Sequence, residues 1–140
     1  MTNAIRDHIA TLALAQLNAA LAYYAAPEAT HADALRALTT AHGLFSTTVN
    51  AVAEAAALGR DPADHLTTSA DEDEKRLDAD PPADAAGDTR RRLIAEKRIA
   101  ARMLRSATAI EAGARAYVAH AATFAPDPAD EPADAAGGEA

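Results

Sequence analysis

Large apolar side chains occupy only two parts of this chain. Leu, Ile, Val, Met, Phe and Tyr together number 27 among 140 residues, and 24 of them lie within 3–58 and 89–124. Only Leu66 and Leu77 fall between those stretches, and none follows Phe124. A hydrophobic core forms only where apolar area can leave water, so the folded part is expected in the two stretches. Alanine takes 42 further positions, and Leu, Ile, Val and Phe amount to 22 of 140, below the roughly 20% usual in globular domains. This excludes a large β-sandwich and a parallel α/β domain. The absence of Cys excludes disulfide frameworks, thiol catalysis and cysteine-ligated metals. Eleven Arg against two Lys, beside so much Ala, is the usage of a GC-rich genome.

The expected fold is all-α, a three-helix bundle with an acidic disordered linker and tail. Residues 1–59 read as an antiparallel helical hairpin. Its first helix runs from an N-cap at Asn3 to Ala26, ahead of Pro27, because the residue before proline disfavours the helical region. The second starts at Thr30-His31-Ala32-Asp33 and stops at Gly59, a usual residue just past a helix end. Residues 60–88 hold ten acids against Arg60, Lys75 and Arg76 and read as a flexible linker. Within it, Ser69 with Glu72 has capping-box spacing, which allows a transient solvated helix over 70–79. Residues 89–125 read as a long amphipathic helix packing on the hairpin, and 126–140 as a disordered acidic tail. No stretch alternates apolar and polar residues as a strand requires.

Two heptad seams predict the packing. The second helix carries Leu35, Leu38, His42, Phe45, Val49, Val52 and Ala56 in steps of three and four. The last helix carries Met103, Ala107, Ile110, Ala114, Tyr117, Ala121 and Phe124, small and large residues in alternation. Alanine at every seventh position admits a close neighbour while the large residues fill the gaps beside it. So Ala-rich a core is marginal, and self-association through the last helix is expected. A lone His42 between Leu38 and Phe45 is expected to bond to a hydroxyl or carbonyl across the interface.

Chemistry-bearing patterns are missing. There is no GxSxG, phosphate-binding glycine loop, HExxH or HxxxH, so no enzyme, cofactor or metal site is expected. The remaining polar signal is Arg91, Arg98, Arg102 and Arg105, which share one helical face. That face suits nucleic-acid phosphates or an acidic protein, although the preceding acids can also neutralise it within the chain. His8 to Pro27 contains no charged side chain, but Gln16 and Asn18 interrupt it and no membrane association is expected. The reading is a cytoplasmic, non-catalytic helical interaction or scaffolding protein, from a phage or mobile element, acting on a protein partner or on itself. A nucleic-acid-associated accessory protein is the second reading. A small exported protein cleaved after Ala26 is the third.

Overall fold

The structure is a computed structural model and describes residues 2–83 and 85–123. Four helices follow one another: α1 (Asn3–Ala25), α2 (His31–Leu58), α3 (Pro62–Ala79) and α4 (Ala85–Ala122). A single 3₁₀ turn, Glu28–Thr30, leads into α2, and no strand occurs among the described residues. The all-α expectation stands. The tail 126–140 and Phe124 lie outside the described residues.

Local chemistry sets the helix ends. Thr2, one residue before the expected cap, accepts the Ile5 amide on its hydroxyl at 3.2 Å. Ala26, before Pro27, is extended. Thr30 does not cap α2 with its side chain, since its hydroxyl donates to the Pro27 carbonyl at 3.4 Å. Gly59 sits at φ +63°, where its own amide bonds the Ala56 carbonyl at 3.3 Å and the Arg60 amide bonds Ala55 at 2.8 Å. This is the left-handed close that glycine makes without steric cost.

The expectation of a flexible linker over 60–88 is corrected, because most of it is α3. Asp61 accepts the Asp64 amide on its carboxylate at 3.0 Å, and Pro62 takes the first helical position, where its missing N–H costs nothing. Ala63, Leu66, Ala70 and Leu77 recur on one side and are all buried. Two leucines suffice because two alanines extend the stripe they begin. The carboxylates lie largely on the other sides, so one amphipathic helix carries both the acids and the core contacts.

The described residues divide into two units, one up to residue 108 and the other from 109 to 123. In the first, Ile5, Ala51, Ala63, Leu66, Ala100, Ala101 and Leu104 form the main core, with Ile9 and Val52 against it. A smaller cluster joins Ala70 and Leu77 of α3 to Ile94 of α4. The bundle of this unit therefore has four helices where three were expected. Alanine makes up most of the main core, so the backbones approach closely and few large side chains are needed between them. In the second unit, Arg115 pairs with Glu111 one turn away.

Candidate interaction surfaces

The four arginines of the basic face occupy different settings. Arg105 donates to Asp64 at 3.2 Å and to the Thr67 hydroxyl at 3.0 Å. Arg98 donates to Glu74 at 2.5 Å and to Asp71 at 3.3 Å. The hydrogen bond it donates to Glu74 first, and then that to Asp71, raises its pKa above the ordinary arginine value. Beside it, Lys97 donates to Asp73 at 2.5 Å and to the Ser69 hydroxyl at 2.8 Å. Numbers rise along α3 as they fall along α4, so the two helices run antiparallel.

These contacts have a heptad register. Asp64, Asp71 and Asp78 are spaced by seven on α3, and Arg105, Arg98 and Arg91 by seven on α4. The first two rungs are formed. At the third, Asp78 and Arg91 line one open groove of about 430 Å³, while Arg91 pairs with Asp88 of its own helix at 3.4 Å. Arg102 lines the same groove, is exposed and makes no ion pair among the described residues. The acidic segment, as an ordered helix, thus pairs with two of the four arginines, Arg98 and Arg105, and leaves Arg91 and Arg102 without a partner on α3 among the described residues.

The α2 seam is rotated from its expected register. Thr48, Ala51 and Ala55 are its buried residues, one position before Val49, Val52 and Ala56. Leu38, Phe45, Val49 and Val52 are half-buried at the flank, and Leu35 is exposed. Small residues take the crowded position because α1, α3 and α4 all contribute to the core there, which leaves the large ones at the edge. His42 is exposed and lies 3.4 Å from Ser46 of its own helix, not across an interface. Thr48 is 1% exposed and its hydroxyl has no partner among the described residues.

On α4, Met103 and Ala107 are half-buried, whereas Ile110, Ala114 and Tyr117 are exposed, Ile110 at 72% and Tyr117 at 73%. Val118 is open as well. A second exposed apolar stripe, on α1, was not anticipated: Leu14, Leu17, Leu21 and Tyr24. Its signal in the sequence is the charge-free run from His8 to Pro27. Tyr23, stacked edge-on against Tyr24 with centroids 5.3 Å apart, also packs on His31 at 4.5 Å and fixes the tip of the hairpin.

Two polar features inside the first unit also escaped the sequence reading. Glu96 reaches α2, where it accepts the Thr47 hydroxyl at 2.5 Å and its carboxylate lies where a Cβ on Gly43 would be. Glu54 of α2 and His65 of α3 meet at 2.8 Å. A cavity of about 630 Å³ opens between α1 and α2, lined by Leu12, Ala15, Ala41, Leu44, Met103 and the ring of His8. Burial lowers the His8 pKa, and its Nε2 has no partner among the described residues.

Among the described residues, no group of three or more His, Asp or Glu side chains is placed to hold a metal ion. No helix there is long and apolar enough to cross a membrane. No protein-family model, curated protein or solved structure matches the chain.

Proposed function

We propose that this is a non-catalytic interaction protein that works through helix–helix contacts, in the cytoplasm of a GC-rich host and from a phage or mobile element. The observation that carries the reading is the exposure of large apolar side chains at helical spacing. Leu14, Leu17, Leu21 and Tyr24 do this on α1, and Ile110, Tyr117 and Val118 do it in the second unit. Contiguous apolar surface of this kind marks contact sites. The basic face favours the reading indirectly, because Arg98 and Arg105 already serve α3 and are not available to phosphates. Nucleic-acid binding would rest on Arg90, Arg91, Arg92 and Arg102 alone.

The test is a photo-cross-linking residue placed at Tyr24, Ile110 or Tyr117 in the native host, with the exposed Ala57 as control. Discrete adducts from α1 or second-unit positions, and none from Ala57, are expected. No adduct from any of the three would overturn the reading.

A further inference from the structure

α1 carries apolar side chains on two sides. At about 100° per residue, Ile5, Ile9 and Leu12 point one way, and Leu14, Leu17, Leu21 and Tyr24 fall within an arc of about 80° on the other. The first side faces the core, with Ile5 at 7% and Leu12 at 6% exposure. On the second side exposure runs from 55% at Leu17 to 83% at Tyr24. Steps of three, four and three along 14, 17, 21 and 24 make it a coiled-coil type seam. A helix that is apolar all round is normally buried all round.

What covers this stripe is constrained by its chemistry. The segment 124–140 offers one large apolar side chain, Phe124, and five acids, so it cannot replace water over three leucines and a tyrosine. From His8 to Pro27 there is no Asp, Glu, Lys or Arg, so the stripe gives a charged partner nothing to pair with. A second copy brings the same uncharged heptad stripe, and a two-fold contact of a surface with itself is the commonest way proteins associate. Scaling the exposed fractions by side-chain areas of about 150–200 Å² gives about 500 Å² per chain. Two copies would bury about 1,000 Å² in total, the lower limit for a specific interface. That area suits a reversible pair.

We propose that two copies of this chain pair through the outer stripe of α1, a proposal that rests on the helix–helix reading above and names the partner for this surface. The test is sedimentation equilibrium of the full chain between about 5 and about 300 µM, a range that brackets micromolar association. The mass is expected to rise from one chain towards two. Leu17→Glu combined with Leu21→Glu is expected to weaken association at least about tenfold at unchanged helicity, since both positions are exposed. Leu17→Ser combined with Tyr24→Ser, which adds no charge, is expected to act in the same direction. Ile110→Glu combined with Tyr117→Glu is expected to leave the mass curve unchanged.

A wild-type chain that stays single throughout, or variants at 17 and 21 that associate as the wild type does, would overturn the proposal. So would loss of association in the variant at 110 and 117. A single chain in solution that still cross-links from Tyr24 to a different protein overturns the second-copy proposal and leaves the helix–helix reading standing.

Discussion

Gly43 is a glycine inside a helix, where alanine would ordinarily add about 1 kcal/mol. Here a Cβ would collide with the Glu96 carboxylate and sit 3.0 Å from its Cδ. Glu96 is half-buried and accepts the Thr47 hydroxyl, a bond to a charged group whose loss costs about 1.5–3 kcal/mol. Gly43→Ala forces the carboxylate out and gives up that bond, so the sum is a destabilisation of about 0.5–2 kcal/mol. In a Glu96→Ala background the collision and the bond are both gone. There Gly43→Ala should stabilise by about 1 kcal/mol, which makes the coupling between the two positions about 1.5–3 kcal/mol. Urea unfolding of the four proteins followed by circular dichroism measures the cycle, with the denaturant slope checked for constancy. Gly43→Ala that stabilises the wild type by the full helix-propensity gain would refute the reasoning, because Glu96 would then be moving without loss.

Leu66 is 3% exposed in the main core, so Leu66→Ala should destabilise by about 2–5 kcal/mol, whereas a leucine in a flexible linker would cost nothing; the same unfolding assay decides. Ala112→Leu and Ala114→Leu should both fall within about 0.5 kcal/mol of wild type, since both positions are exposed, and a clear penalty at 114 alone would place it in a packed seam. His8 has a lowered pKa in the fold, so the unfolded chain binds its proton first as pH falls below the ordinary histidine value of 6.5. Stability present above that value should decline below it, and His8→Gln should flatten the melting temperature between about pH 7 and pH 5. Salt should lower the melting temperature of the wild type more than that of Arg98→Ala, because Arg98 holds two partly exposed pairs between α3 and α4.

Helix class and the ends of α1 and α2 could be read from the sequence because they rest on local rules. Pro27 and Gly59 act on their immediate neighbours, and no tertiary contact is needed to interpret them. The linker reading failed at Ala63 and Ala70. Counting large side chains gives alanine no weight, yet at a close helix crossing alanine is the residue that fits. Asp61-Pro62 was a legible cap that the density of acids around it obscured. The α2 register was off by one position because hydrophobic size points to the broadest apolar flank, whereas the most crowded line selects Thr48, Ala51 and Ala55 for being small. The pairing of α3 with α4 was only half legible. Opposite charge in adjacent segments predicted attraction, but the matching heptads of Asp64 and Asp71 with Arg105 and Arg98 emerge only once both segments are helices. The α1 stripe shows a different limit. Sequence reveals that α1 is apolar on more than one side, and only the packed unit reveals which side remains open.

The most direct measurement of whether that open side is a working contact uses the absence of cysteine. A single Leu17→Cys gives the chain one thiol on the α1 stripe, and Ala57→Cys gives one on an exposed position elsewhere. Alkylation rates are compared between dilute purified protein and the native host cell, with both thiols exposed enough to react in the dilute state. The account predicts that Leu17→Cys is modified quickly in dilute solution and at least about tenfold more slowly in the cell relative to Ala57→Cys, because the stripe is covered there. Equal relative rates in the two settings would contradict it.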